Sequence, residues 1–211
     1  MPEQPRDPFP ASDFDPWAES YDRDVQKYSD FPFAGYEHVL EKVVSLADAR
    51  PGMDVLDLGT GTGNLAILFA ERGCNLWCTD FSARMLAKAR AKLPQAHFVL
   101  HDLRKAWPVE LERRFDCIVS GYVFHHFELD KKVSLCRELV TQRLAPQGKL
   151  IIADLSFPSL AALNEFKKGI ADWEDELYWL ADESVRALAE AKLSVTYEQT
   201  SACAGVYFFQ R

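Results

Sequence analysis

Basic residues are scarce in this 211-residue chain. Lysine and arginine number 24 against 32 aspartates and glutamates, a formal net charge of −8. Tracking a nucleic-acid backbone takes a basic stripe, so no nucleic-acid partner is expected. Long apolar runs are missing too. Nothing approaches the roughly 18 consecutive apolar residues of a membrane span. The opening Met1-Pro2-Glu3-Gln4-Pro5-Arg6-Asp7-Pro8 lacks the apolar centre of a secretory leader. A soluble, cytoplasmic protein without a membrane partner is the expectation. The five cysteines form no Cys-x-x-Cys pair. Cys74 and Cys78 stand four apart with no second pair, which argues against zinc. Most of the five fall in apolar runs and are expected as reduced, buried packing residues. No Asp/His cluster stands out, and no metal is expected. Apolar residues still make up 48% of the chain, enough for a sizeable core.

What the chain does have is Val55-Leu56-Asp57-Leu58-Gly59-Thr60-Gly61-Thr62-Gly63-Asn64. An apolar run ends near an acid, glycines alternate with small polar residues, and a helical pattern follows at Leu65, Ala66, Leu68 and Phe69. The order reads strand, tight turn, helix. Glycine permits positive φ and close approach of backbone N–H groups to a ligand. The helix behind it points its free N–H groups at the same spot. No Gly-Lys-Ser/Thr follows, so a P-loop is excluded. Gly61-x-Gly63-x-x-Ala66 formally fits a dinucleotide fingerprint. Asp57 argues against it, because a carboxylate beside a pyrophosphate repels it and one beside an ammonium attracts it.

Around this turn the pattern alternates strand and helix. Trp17, Tyr21, Val25 and Tyr28 recur at 4, 4 and 3, one face of an N-terminal helix that packs on the domain or closes over a ligand. Residues 36–47 form a second helix, stopped before Pro51-Gly52. Residues 75–80 form a strand ending at Asp80, where an acid about 20 residues past the glycines suits a ribose diol. Residues 82–93 form a helix capped by Ser82 and stopped by Pro94. Residues 96–100 form a strand leading to His101-Asp102-Leu103, and 115–123 an apolar strand leading to Phe124-His125-His126-Phe127. Residues 129–144 are amphipathic and 150–155 a fifth strand. Residues 159–193 read as helical from Leu160, Leu163, Phe166, Ile170, Trp173, Leu177 and Leu180, with the acidic run 172–176 as a helix start. Residues 194–200 and 205–210 read as two closing strands.

The segment 55–63 resembles the first motif of the class I S-adenosylmethionine-dependent methyltransferases. Trp17-Ala18-Glu19-Ser20-Tyr21-Asp22 resembles the entry helix of their small-molecule members, and Asp80-Phe81-Ser82 with Met85-Leu86 resembles their second motif. The resemblance implies an α/β, Rossmann-like fold. Its seven-stranded, mostly parallel sheet would run 3-2-1-4-5-7-6 and end in an antiparallel hairpin. It implies an N-terminal arm and lid helix over 1–35 and a methyltransferase domain over 36–211, with a helical cap insertion at about 159–190. The cofactor implied is S-adenosyl-L-methionine. Its site would comprise Tyr21, Asp57, Gly59, Gly61, Gly63, Asp80, Phe81, Met85, Asp102, Leu103 and Ser120.

The fourth-strand end carries Ser120-Gly121-Tyr122-Val123 in place of the Asn/Asp-Pro-Pro-Tyr/Phe of nucleic-acid and protein-glutamine methylators. The acceptor implied is a small molecule, and the acidic run favours one bearing an amine. His125 and Tyr21 are the candidates for catalytic roles. The stretch 197–207 looks like the bacterial YrrT-like branch. A non-catalytic cofactor-binding sensor or subunit, and an NAD-dependent oxidoreductase, are the rival readings.

Overall fold

A computed structural model describes residues 15–27, 30–171, 173 and 175–211. The expected arm over 1–14, Tyr28, Asp172 and Glu174 lie outside the described residues. The strands are β1 (Asp54–Leu58), β2 (Asn75–Asp80), β3 (His97–Leu100), β4 (Phe115–Gly121), β5 (Leu144–Phe157), β6 (Trp179–Leu180), β7 (Val195–Gln199) and β8 (Ala204–Gln210). They line up as β3-β2-β1-β4-β5-β8-β7, with β6 pairing separately with β5. β3, β2, β1, β4 and β5 run parallel, and β8 is antiparallel to both β5 and β7. The seven principal strands thus take the expected order, closing hairpin included. The two-residue β6 was not foreseen.

The central strands are apolar on both faces because helices cover both, as parallel sheets require. Alternation along each strand sorts the side chains. Val55, Cys117, Val119 and Ile151 face one side, where α2 (Tyr36–Ala47) buries Val39, Leu40, Val43 and Val44 at helical spacing. Leu56, Leu58, Ile118 and Leu150 face the other, against Leu135 and Cys136 of α5 (Leu129–Glu138) and Leu188 of α7 (Ala181–Glu190). The other helices are α1 (Tyr21–Lys27), α3 (Asn64–Ala70), α4 (Ala83–Lys92) and α6 (Leu160–Lys167). All five cysteines are free thiols, and all but the half-buried Cys74 are buried. Among the described residues, no helix is long and apolar enough to cross a membrane.

The helical stretch expected over 159–193 holds two helices, α6 and α7, and between them the described residues are non-helical and include β6. Leu160, the first residue of the expected stripe, is exposed. Past Gly169 the aromatic residues pack on distant partners. Trp173 stacks on Phe31 at 4.9 Å, and Trp179 is wholly buried against Tyr207 at 4.4 Å. Tertiary packing outweighs the periodicity. The acidic run therefore starts no helix. Asp175 is tied at the surface to Lys167 at 2.8 Å and to the Trp173 indole at 2.9 Å, while Glu176 turns inward.

Candidate active site

The carboxyl ends of β1 to β5 open into a cavity of about 1070 Å³. One end is built on the glycine turn. The turn is pinned to the next strand by Thr60 N–H donating to the Thr79 carbonyl at 2.7 Å. Asp57 sits beneath it, 1% exposed, with Oδ2 accepting from the Thr60 hydroxyl at 2.6 Å. Its other oxygen, Oδ1, is buried with no hydrogen-bond partner among the described residues. Burial pushes the Asp57 carboxyl up to about 7, with Thr60 pulling the other way and Asp80 adding to the rise. Gly61, at φ +55°, lines the cavity, and a Cβ there would meet no protein atom within 4 Å.

The second acid, Asp80, accepts from Gly61 N–H at 2.9 Å and from Ser82 N–H at 2.8 Å, so it ties the turn to the start of α4. Burial raises it to about 6 against those backbone donors. Ser82 caps α4 through its hydroxyl, accepting from Met85 N–H at 3.1 Å, as the sequence indicates. Phe81, Met85, Asp102 and Leu103 complete this end. Asp102 is held by Arg104, whose Nε and backbone N–H both lie at 2.9 Å. Burial alone would raise its carboxyl, but Arg104 holds it below the usual range.

Two of the candidates, Ser120 and Gly63, do not line the cavity. Ser120 is fully buried inside the sheet, where its hydroxyl donates to the Leu58 carbonyl at 2.9 Å. The wall begins one residue later, at Gly121 and Tyr122, because β4 runs on to Gly121. Gly63 sits behind the turn as the N-cap of α3, and a Cβ there would press on Ala89 and Leu93 at 3.3 Å. Its role is close packing of α3 on α4.

Rings enclose the other end. Tyr21 contacts Trp17 edge-on at 4.8 Å and Phe33 at 6.0 Å. Burial keeps the Tyr21 and Tyr36 hydroxyls protonated well above neutral pH. Residues 15–22 are tied to α4 and its cap: Asp15 accepts from the Ser82 hydroxyl at 2.7 Å, and Asp22 pairs with Lys92 at 2.6 Å. His125 and His126 sit on a short 3₁₀ turn, rings 4.0 Å apart. His125 Nδ1 lies 2.6 Å from Asp154 Oδ1, and His126 Nδ1 lies 3.6 Å from Glu176. Sequence reasoning missed Asp154, Phe31 and Tyr178. Asp154 carried a signal, a lone acid inside the apolar run Leu150-Ile151-Ile152-Ala153-Asp154-Leu155. The others carried none.

A family model for a methyltransferase domain matches residues 55–148. An uncharacterized methyltransferase of Geobacillus kaustophilus is 33% identical over 202 residues, covering 90% of this chain and 91% of that protein. A second, from Geobacillus thermodenitrificans, is 32% identical with the same coverage. The chain belongs to the class I S-adenosylmethionine-dependent methyltransferases. The fold agrees. Magnesium protoporphyrin IX methyltransferase from Synechocystis with bound S-adenosylhomocysteine superposes with a TM-score of 0.74 at 20% identity, over 95% of this chain and 97% of that one. DhpI in complex with S-adenosylhomocysteine gives 0.73 at 18% identity, over 95% and 94%. The dinucleotide reading of the glycine turn falls with the family assignment. This methyltransferase uses S-adenosyl-L-methionine, and its cavity fits that cofactor on two observations. Asp57 Oδ1 is a buried acceptor lacking a donor, and the open space above Gly61 is one that a side chain would fill.

Proposed function

We propose that this methyltransferase moves its methyl group onto a small molecule by in-line displacement. The observation that carries the reading is the enclosed, ring-walled end of the cavity, bounded by Trp17, Tyr21, Phe31, Phe33 and Tyr178. That space suits a compact, partly apolar molecule. The neighbour whose name specifies a magnesium protoporphyrin substrate adds support by analogy of fold.

S-adenosylmethionine supplies an already activated methyl group on a sulfonium sulfur. The chain's part is to bind, align and exclude water. Asp57 would take the ammonium group and the backbone of Gly59 and Gly61 the approach beside it. Asp80 would hold the ribose hydroxyls. Phe81 and Met85 would flank the adenine, with Asp102 and Leu103 N–H at its edge. Tyr21 presents an aromatic face toward the reacting end, worth about 0.5–2 kcal/mol to a nearby cation. His125 stands on the far side of that end. Residues 15–35 serve as a lid, fastened by the Asp15, Asp22 and Glu19 contacts to the turn and α4. The stretch 197–207 supports a place in the YrrT-like branch, and the lack of a long apolar helix among the described residues supports a cytoplasmic location.

The test is to incubate the purified protein and methyl-labelled cofactor with a desalted extract and with its small-molecule filtrate. Label is expected in filtrate products of low mass. Label recovered in protein or nucleic acid, with none in the filtrate, would overturn the small-molecule reading.

A further inference from the structure

Asp154 is the most heavily bonded carboxylate beside the cavity. It lies within β5, fully buried. Its Oδ1 faces His125 Nδ1 at 2.6 Å and accepts from Leu155 N–H at 2.7 Å. Its Oδ2 accepts from His125 N–H at 2.8 Å and from the Trp179 indole at 3.2 Å. A buried acid is costly unless bonded in this way. Burial works to raise it, but His125 and the buried ammonium of Lys132 outweigh that and keep it ionised. Lys132 lies 4.9 Å from the Trp179 ring.

An ionised Asp154 has only acceptors, so His125 must keep a proton on Nδ1. In the neutral ring Nε2 is then the acceptor. His125 lines the cavity, and no described residue bonds its Nε2. The residue is clamped at both ends of its backbone as well. Its N–H goes to Asp154, and its carbonyl accepts from Leu177 N–H at 3.0 Å. A histidine held by backbone and ring, with one basic nitrogen turned to the cavity, is preorganised to accept a proton there. The other charged groups around it are Lys132 and, through the His126 ring, Glu176.

We propose that His125 is the proton acceptor of this methyltransferase, that Asp154 is its positioning residue, and that the acceptor substrate is therefore a molecule whose nucleophile sheds a proton on methylation: a hydroxyl, a thiol or an amine. The inference rests on the small-molecule reading above and deepens it. A thioether or tertiary amine has no proton to lose, and its methylation needs no base. The acceptor's X–H bond breaks as its heteroatom bonds the methyl carbon. The X–H electron pair stays on the heteroatom, the pair of the broken carbon–sulfur bond stays on sulfur, and the proton goes to His125 Nε2. The new imidazolium is balanced by Asp154 and later returns its proton to water. Phe31, Leu155 and Tyr178 line the cavity near this pair, which favours an apolar body on the acceptor.

Two measurements test this. Histidine-selective nitrogen NMR on the S-adenosylhomocysteine complex needs no acceptor. It should show His125 with its neutral-ring proton on Nδ1 and a downfield signal for that proton, which Asp154→Asn removes. A proton on Nε2 overturns the proposal. The second measurement compares a thiol already ionised at neutral pH (4-nitrothiophenol) with benzyl mercaptan and a phenol, which are not. Asp154→Asn should cut kcat on the protonated acceptors by about 100-fold or more, within the usual range for general-base loss. It should cost the ionised thiol far less and leave S-adenosylhomocysteine binding intact. His125→Asn guards against misfolding, because its amide can still donate to Asp154 while the basic nitrogen is gone, and the same selectivity is expected of it. Equal losses on all acceptors, or turnover confined to a thioether or tertiary amine, would make the pair structural. Label confined to protein or nucleic acid in the extract experiment would instead strike the small-molecule reading, and the NMR result would still decide the proton acceptor.

Discussion

The proposed cofactor end of the cavity draws Asp57, Gly59 and Gly61 from one turn, and Asp80, Phe81 and Met85 from the next strand and helix. The proposed acceptor end takes Tyr21, Phe31, Tyr122, His125, Glu176 and Tyr178 from segments spread along most of the chain. The first end is backbone geometry with acids at strand ends. Its parts hold one another: Thr60 to Thr79, Gly61 to Asp80, Ser82 to Asp80. The second end is rings and two histidines, set by packing between elements remote in sequence. Function divides the same way. A fixed ligand is met by a local motif, and a variable acceptor by a wall that can be rebuilt one residue at a time.

This contrast can be broken most sharply at Gly61. Gly61→Val combines a β-branched side chain with φ +55° and fills the open space of the cavity. S-adenosylhomocysteine at about 100 times its dissociation constant should raise wild-type stability by about 2.7 kcal/mol, and the variant's melting temperature should not respond. Undiminished binding of the variant in calorimetry would remove the turn from the cofactor site.

A smaller loss is expected at Asp80. Asp80→Ala should weaken adenosine-containing ligands by about 1.5–3 kcal/mol, the range for hydrogen bonds to a charged group. The loss should appear even for adenosine without the methionine portion. Phe31→Ala is the control from the other end. It should leave S-adenosylhomocysteine affinity within about twofold, since distant sites act independently. If both substitutions weaken every ligand alike, the two ends are one coupled unit and the comparison fails.

The smallest effect concerns pH. Asp57 and Asp80 have folded-state values raised to about 7 and about 6, above the ordinary carboxylate value, so the folded chain holds extra protons at mildly acid pH. Their contribution to stability is full below the unfolded value and is lost as pH rises through the folded ones. The cofactor-free melting temperature should therefore fall from about pH 4 to about pH 7 through these two groups and level off above that. An ammonium on Asp57 needs the ionised form. S-adenosylhomocysteine binding should therefore tighten over the same interval, by up to about tenfold per pH unit below 7, with proton release on binding. Calorimetry in buffers of different ionisation enthalpy reads both. Affinity flat from pH 6 to 8 would place the ammonium elsewhere.

The family resemblance supplied the sheet order and the closing hairpin, and the sequence by itself determined the strands, the glycine turn and the acids at three strand ends. Each is local: an apolar run, a residue permitting positive φ, or a cap such as Ser82, readable from neighbours a few positions away. The helical pattern over 159–193 is interrupted because Trp173 and Tyr178 pack on Phe31, which no window of local sequence contains. Ser120 and Gly63 lie one layer behind the cavity wall, since a motif specifies which residues lie near a ligand and not which face the sheet hides. Only the tertiary structure brought Asp154 to His125, 29 positions away, and Glu176 toward His126. Strand register and the path between α6 and β6 decide those meetings. Both arise from long-range packing, and periodicity carries no trace of them.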